Sequence, residues 1–240
     1  MKTIAAFFDI DGTIHRNSLL IEHFKKMIKY EIIPKELYSG ELENSYLAWY
    51  NRKGNHETYL MNVSSLYQNS IKGLKEEDVL FAVDKVMKLE AEKVYTYTRD
   101  RIKWHLDKGH IVIFISGSPD FLVSEMAKKY NVTDYAGSKY LVKNAVFTGE
   151  VVPMWNSNSK NNKLNEMVDK YNIDLSNSYA YGDTNGDLAM LKKVGNPIAI
   201  NPNKELLTNL SNSDISKKLK IVVERKDVVY VLDRNLAYIL

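Results

Sequence analysis

The sequence predicts an α/β fold, in which an open and mostly parallel β-sheet carries a helical insertion after its first strand. Short apolar runs at residues 4–8, 111–115 and 179–181 are each followed at once by Asp, Ser or Gly, as buried parallel strands are at a polar edge. A fourth run covers residues 198–200. Helical patterns separate the later runs, and this alternation indicates right-handed crossovers between parallel strands.

Composition narrows the class of protein. The chain has 240 residues, of which 45% are hydrophobic and 26% charged, the balance of a globular protein that needs no covalent cross-links. Lys and Arg number 33 against 30 acidic residues, and no basic stretch indicates a nucleic-acid partner. The absence of Cys excludes disulfides, thiolate zinc sites and thiol nucleophiles.

The apolar runs are also too short for a membrane span or a signal peptide. We therefore expect a cytoplasmic protein without a membrane partner. Its oligomeric state is left open between monomer and homodimer.

Two carboxylates close the first strand. Asp9 and Asp11 lie two residues apart, followed by Gly12 and Thr13, so both side chains can point into one crevice at the strand end. Their mutual repulsion favours a hard cation such as Mg²⁺. One Asp could then be a nucleophile and the other a general acid and base; a pair of solvated carboxylates is the alternative.

The interval after this loop, residues 15–90, shows helical periodicity and no convincing strand. We expect a helical cap domain there, and assign residues 1–14 and 91–240 to the α/β core. The many aromatic side chains of the interval fit amphipathic core packing better than a ligand pocket. Residues 139–152 are expected to form a small hairpin.

The second strand ends at Ser116-Gly117-Ser118-Pro119. Ser118 fits a helix N-cap and Pro119 the first helical position, and the free N–H groups of such a terminus can bind an anion. The Ser116 hydroxyl would add a donor to a phosphate oxygen.

The third strand is followed by an acidic loop. Asp183 and Asp187 lie four residues apart, so on a helix that begins here they would share a face at its positive end. Helix capping accounts for one of them and not for both. They are the natural remaining metal ligands.

Lys160 is the candidate cation of the crevice. It lies about 30° from the centre of the apolar stripe of its predicted helix, whereas Lys163 lies about 90° away. Lys160 should therefore face the sheet, where it could neutralise a phosphate and a nucleophile. The alternative is a solvated surface lysine.

Taken in chain order, Asp9-x-Asp11-Gly-Thr, Ser116, Lys160 and Gly182-Asp183 with Asp187 resemble the four motifs of the haloacid dehalogenase-like superfamily. The long helical insertion looks like subfamily IB, the phosphoserine-phosphatase-like branch. This resemblance implies a Rossmann-like core and a Mg²⁺-dependent phosphomonoester hydrolase acting on a small phosphorylated metabolite.

The resemblance also implies roles for the site residues. Asp9 would attack phosphorus and be phosphorylated, and Asp11 would protonate the leaving oxygen and then activate water. Mg²⁺ would be held by the Asp9 carboxylate, the Asp11 backbone carbonyl and Asp183, with Asp187 in support. The residues that would bind the substrate's phosphoryl group are Thr13, Ser116, Gly117 and Lys160.

Two departures from the family pattern concern specificity. Phosphoserine phosphatases carry a Glu where this chain has Ser18, which weakens the case for L-phosphoserine. The fourth motif usually has Asn immediately before its last Asp, whereas Gly186 stands there in this chain.

Two further functions compete with hydrolysis. A phosphotransferase or mutase would use the same aspartyl phosphate and pass it to another hydroxyl. A non-catalytic protein that binds phosphate or Mg²⁺ in a similar acidic pocket is the third possibility.

Overall fold

The structure is a computed structural model and describes residues 2–38 and 40–232. The chain divides into two compact units. The first contains Met1–Ser18, Ala91–Ser138 and Pro153–Leu240, and the second contains Leu19–Glu90 and Lys139–Val152. The sequence predicts one continuous insertion over residues 15–90; the structure groups residues 139–152 with these helices.

The strands predicted from the sequence appear in the predicted order, and the structure adds further strands and helices. The strands are β1 (Ala5–Phe8), β2 (Ile111–Pro119), β3 (Asp134–Lys143), β4 (Val146–Val152), β5 (Tyr179–Gly182), β6 (Asn196–Ile200), β7 (Lys220–Arg225) and β8 (Val228–Leu232). The helices are α1 (Leu19–Lys29), α2 (Glu41–Tyr50), α3 (His56–Ile71), α4 (Glu76–Leu89), α5 (Thr96–Asp107), α6 (Asp120–Tyr130), α7 (Ser157–Tyr171), α8 (Leu188–Lys193) and α9 (Lys204–Ser211).

In the first unit the strand order is β3-β2-β1-β5-β6-β7-β8, parallel up to β7 and antiparallel at β8. Phe8, the last residue of β1, is in register with Phe114 of β2 and Tyr181 of β5. The end of β1 therefore lies beside the end of β5, while β2 continues beyond both, and this carboxyl edge is where open α/β sheets bind ligands. The predicted fold class is confirmed.

The central strand β1 is buried on both faces. All four of its residues are 0% exposed, and the ring of Phe8 stacks on Tyr181 with centroids 4.1 Å apart. On the other face Phe7 packs in a core that includes Leu164 and Met190. Burying each Phe contributes about 1.5–3 kcal/mol, so this strand anchors the loop that follows it.

Three features differ from or add to the sequence prediction. The hairpin of β7 and β8 closes the edge of the sheet and was not predicted. The expectation that Ser118 caps a helix is wrong, as is the placement of Pro119 at a first helical position. Strand β2 continues to Pro119 and α6 begins at Asp120, and the Ser118 hydroxyl donates to Asp11 Oδ2 instead of capping the helix.

In the second unit the four helices α1–α4 pack with the predicted hairpin. Helix α1 contacts α4, and α3 contacts α2 and β4. The hairpin pairs the second half of β3 with β4, and its turn places Asn144 and Ala145 at φ of 52° and 59°, as type I′ turns require.

One imidazole joins three of these helices. His23 of α1 has Nε2 3.0 Å from the carbonyl oxygen of Val79 in α4, to which it donates. The Tyr67 hydroxyl of α3 lies 3.0 Å from His23 Nδ1, which is then the acceptor. Burial lowers the pKa of His23 to about 4, so the ring is neutral at physiological pH.

Of the helices in the described ranges, none combines the length and the apolar character that crossing a bilayer requires.

Candidate active site

The loop after β1 is a tight turn that brings Asp9 and Asp11 to the sheet edge. The backbone N–H of Asp9 still donates to Tyr181 O at 3.0 Å, and the N–H groups of Ile14 and His15 both donate to Ile10 O at 2.8 Å. Gly12 has φ of 77°, and a Cβ there would lie 2.1 Å from Asp183 Oδ2. Only glycine fits this position, because its backbone conformation is left-handed and the carboxylate is in contact with it.

Three buried carboxyl groups meet beside this turn. Oxygen atoms of Asp9, Asp183 and Asp187 all lie within 4.8 Å of one another. Asp9 follows β1 and the other two follow β5, so two neighbouring strand ends supply the cluster. The Thr13 hydroxyl, one of the four groups predicted to bind substrate, instead donates to Asp183 Oδ1 at 2.9 Å and holds this carboxylate.

Lys160 supplies the positive charge within this cluster. Its Nζ lies 2.7 Å from Asp9 Oδ1 and 2.6 Å from Asp187 Oδ1, and the residue is 3% exposed. Helix α7 positions it, beginning after the N-cap Asn156, whose side chain accepts from Ser159 N. Lys163 instead pairs with Glu166 of the same helix, a mostly exposed partner.

Burial and charge shift the proton affinities of these groups. Burial raises the pKa of the Asp9 carboxyl to about 8, although the Lys160 ammonium opposes this rise. Burial also raises the pKa of Asp183, and the charges of Asp9 and Asp187 add to the effect. Burial alone lowers the pKa of Lys160, but Asp187 and Asp9 outweigh it and leave this pKa above its ordinary value.

Asp187 organises the loop that carries Asp183. Its Oδ2 accepts from the backbone N–H groups of Asp183 at 3.1 Å and Thr184 at 3.2 Å, while Oδ1 accepts from Lys160. The two aspartates do not share one helix face: Asp187 closes a 3₁₀ turn, Asn185–Asp187, and α8 begins only after it. Asp187 therefore supports both Lys160 and the loop backbone.

Ser116, Gly117 and Ser118 continue β2 past its neighbour β1. Ser116 is 0% exposed and its Oγ accepts from Ser118 N at 3.2 Å. The carbonyl oxygen of Gly117 accepts from the Ser138 hydroxyl at 2.7 Å, which holds the backbone at this point. The Ser118 hydroxyl donates to Asp11 Oδ2 at 2.5 Å.

Asp11 therefore differs from the other three carboxylates. Its side chain is partly exposed and lies outside the cluster of Asp9, Asp183 and Asp187. It was predicted to ligate a metal through its backbone carbonyl, with the carboxyl group kept for proton transfer. In the structure, Oδ2 of this carboxyl group accepts from Ser118.

The backbone of Trp155 fills the space between two loops of the site. A Cβ at Gly117 would lie 3.0 Å from Trp155 Cβ, and one at Gly186 would lie 2.7 Å from Trp155 O. This contact is the physical reason why position 186 has no side chain. The indole is 40% exposed.

The structure thus brings Asp9, Asp183, Asp187 and Lys160 into direct contact or close proximity, and places Ser116, Gly117 and Asp11 on adjoining strand ends. Sequence reasoning missed two neighbours of the site, Ser118 and Trp155. Ser118 had a local signal that pointed to helix capping, and Trp155 had none beyond its place five residues before Lys160.

The donor set suits a hard divalent cation. Three buried carboxyl groups face one ammonium, and burial, with a further contribution from the neighbouring carboxylates, raises the pKa of Asp9 and of Asp183. Carboxylate oxygens at this spacing are ligands that Mg²⁺ accepts. A bound cation would favour the ionised form of both aspartates.

Comparison with known proteins identifies the family. The haloacid dehalogenase-like hydrolase family matches residues 6–192. The chain is 26% identical over 218 residues to phosphoserine phosphatase SerB1 of Mycobacterium tuberculosis, covering 85% of this chain and 67% of that protein. It is also 26% identical over 230 residues to a phosphoserine phosphatase of Methanocaldococcus jannaschii, covering 94% of each.

A solved structure has the same fold. It is described as a phospho-aspartyl intermediate analogue of phosphoserine phosphatase, and it superposes with a TM-score of 0.64 at 23% identity, covering 95% of this chain and 96% of that one. The family match spans the first strand and all four motifs, which the structure assembles at one sheet edge. The chain belongs to the haloacid dehalogenase-like hydrolase family.

Proposed function

We propose that this protein is a Mg²⁺-dependent phosphomonoesterase that hydrolyses a small phosphorylated metabolite through an aspartyl phosphate on Asp9. The observation that carries the proposal is the contact of Lys160 Nζ with both Asp9 Oδ1 and Asp187 Oδ1, beside Asp183. Two relatives named phosphoserine phosphatase support the same class of reaction.

The first step is an in-line displacement at phosphorus. An Asp9 carboxylate oxygen forms a bond to phosphorus while the bond from phosphorus to the leaving oxygen breaks, and Asp11 transfers its proton to that oxygen. The Lys160 ammonium, the Ser116 hydroxyl and the Gly117 N–H bind the phosphoryl oxygens, because positioning and charge neutralisation dominate this chemistry.

The second step releases phosphate. The Asp11 carboxylate takes a proton from water as the water oxygen attacks phosphorus, and the bond between phosphorus and Asp9 breaks. Asp9, the Asp11 backbone carbonyl and Asp183 would hold Mg²⁺, with Asp187 in support; when bound, the ion supplies positive charge to the phosphoryl group and keeps the nucleophile ionised.

The same residues account for binding of the phosphoryl group of the substrate, but they do not indicate which alcohol carries that group. Phosphoserine belongs in any test because of the relatives' names. At position 18, however, the chain has the Ser18 hydroxyl in place of the carboxylate that the resemblance associates with an amino group. We therefore propose a small phosphomonoester and leave its alcohol unassigned.

The test is phosphate release with and without Mg²⁺ from phosphorylated amino acids, amino alcohols, sugars and nucleotides. We expect turnover of at least one class, and a loss of at least about a thousandfold in Asp9→Asn, since this change removes the nucleophile and keeps its shape. Asp169→Asn, on the exposed face of α7, is the matched control and should stay within about threefold. No release from any class, or full turnover by Asp9→Asn, would refute the proposal.

A further inference from the structure

Ser118 is placed to act on Asp11. It lies at the end of β2 and is 1% exposed. Its hydroxyl donates to Asp11 Oδ2 at 2.5 Å, across 107 positions of sequence, and its N–H donates to Ser116 Oγ at 3.2 Å. A single residue thus connects the predicted phosphate-binding serine with the predicted general acid.

Helix capping does not account for this serine. The residue that precedes α6 is Pro119, which makes no side-chain capping hydrogen bond to that helix. This buried hydroxyl donates to a distant carboxylate instead of capping the helix. Such a charge-assisted hydrogen bond is stronger than one between neutral groups. The geometry of the pair is therefore specified by the tertiary structure.

The hydrogen bond determines which oxygen of Asp11 can carry a proton to substrate. A carboxylic acid has one proton, and the oxygen that accepts from Ser118 is already engaged. Because Oδ2 accepts from Ser118, the proton that Asp11 transfers to substrate would be on Oδ1. The buried serine also restricts the orientation of the Asp11 carboxyl group, since its hydroxyl is held at the end of β2.

We propose that Ser118 is a positioning residue that aims Oδ1 of Asp11 at the leaving-group oxygen, an inference that rests on the proposed phosphomonoesterase function. In the first step the O–H bond at Oδ1 breaks and a new O–H bond forms on the departing oxygen as its bond to phosphorus breaks. Ser118 transfers no proton and touches no substrate; it acts only through Asp11.

The dependence on leaving group distinguishes this role from a structural one. An alkyl alcohol leaves as a strongly basic alkoxide unless it is protonated, whereas 4-nitrophenolate leaves readily without a proton. Mispositioning the acid therefore slows the first reaction and spares the second. A change that merely loosened the fold would slow both.

The experiment measures kcat/KM for Ser118→Ala with an alkyl phosphate that the wild type hydrolyses and with 4-nitrophenyl phosphate, because kcat/KM reports the first irreversible step. We expect a loss of about 10- to 100-fold with the alkyl phosphate, which is part of the roughly 10²- to 10⁴-fold that general acid catalysis contributes, and of less than about threefold with the aryl phosphate. The rate with the aryl substrate also shows that the variant is folded.

Ser178→Ala is the matched control. Ser178 is 0% exposed, its hydroxyl accepts from Ala5 N at 2.9 Å and donates to Asp174 O at 2.6 Å, and it lies at the opposite end of β1. Loss of the Ser178 hydroxyl should change kcat/KM by the same factor for both substrates.

Equal losses with both substrates in Ser118→Ala, or no loss with either, would overturn the role of Ser118 while the wild-type enzyme remains a phosphatase. Failure of the wild type with both substrates would instead count against the proposed function itself. The two failures are thus separate observations.

Discussion

Lys160 is the residue that balances charge within the site. Its Nζ contacts Asp9 and Asp187. In the part of the chain that the structure describes, this ammonium lies within the cluster of three carboxyl groups around Asp9. Burial alone would lower the pKa of this ammonium, and its contacts with Asp187 and Asp9 instead hold the pKa above its ordinary value. The positions of Asp9, Lys160 and the loop that carries Asp187 therefore depend on one another.

We expect Lys160→Ala to lower turnover by about two to three orders of magnitude, as the loss of one preorganised electrostatic group does. Without the ammonium, the carboxyl group of Asp9 loses the partner that holds its pKa down, and phosphate loses a counter-charge. Initial rates under saturating Mg²⁺ measure the effect.

Lys163→Ala is the control for that change, since Lys163 is on the same helix and pairs with Glu166. It should alter turnover by less than about threefold. If Lys163→Ala were the damaging variant and Lys160→Ala were not, the assignment of the cation would be wrong.

At the residue level the sequence predicts those positions whose chemistry is visible locally. Asp9 follows an apolar run directly, Asp183 and Asp187 lie in the polar loop that closes another, and the angular position of Lys160 on its helix is enough to choose it over Lys163. The partner of Ser118 was not predictable, because the local pattern has a complete explanation in helix capping and Asp11 is distant in sequence. Gly186 likewise has its reason in the backbone of Trp155.

At the level of elements, the central strands are predictable because each is a short apolar run with a polar end. The β7–β8 hairpin was missed although its two runs flank Lys226 and Asp227, with Lys226 at φ of 56°. Four residues of β8 are 40–65% exposed, so its apolar character does not reflect burial. The grouping of residues 139–152 with the helices depends on distant partners, such as the bond from Gly73 N to Phe147 O at 2.9 Å.

The junction of α1, α3 and α4 at His23 makes the second unit sensitive to acid. The pKa of His23 is lowered to about 4 in the folded state by burial and is about 6.5 in an unfolded chain. As pH falls from about 6.5 to 4, His23 takes up a proton in the unfolded state but not in the folded state. The free energy of unfolding should therefore fall by about 3 kcal/mol across this window and lose nothing more from His23 at lower pH.

Urea unfolding of the wild type and His23→Gln at several values of pH from 4 to 7 measures this effect. Gln offers a donor and an acceptor but does not titrate, so the difference in stability between the two proteins should shrink as pH falls. Subtracting the free energy of unfolding of the variant from that of the wild type removes the contributions of all other titrating groups. A difference that is constant from pH 7 to 4 would contradict the neutral, buried imidazole.

At the scale of the molecule, the acidic cluster draws together stretches of chain that lie more than 150 residues apart, from Asp9 to Asp183 and Asp187. A cation bound there stabilises the folded state because the unfolded chain cannot assemble its ligands. At a hundredfold excess over the dissociation constant this amounts to about 2.7 kcal/mol.

We therefore expect Mg²⁺ to raise the melting temperature by about 5–10 °C relative to EDTA. Asp183→Asn should abolish the rise, whereas Glu166→Gln, on the exposed face of α7, should preserve it. The rise should increase with pH through about 8, since the Asp9 carboxyl must lose its proton to bind the ion. Thermal melts of the three proteins measure this, and an equal rise in all of them would indicate non-specific binding.

The contact of Trp155 with Gly117 and Gly186 has an evolutionary consequence. A side chain at Gly186 requires the main chain at position 155 to withdraw, and one at Gly117 requires Trp155 to shift by a few tenths of an ångström, so the mutational paths open to these three sites are interdependent. Descendants of this protein should change them in concert or not at all, and an alignment of its orthologues should show the covariation.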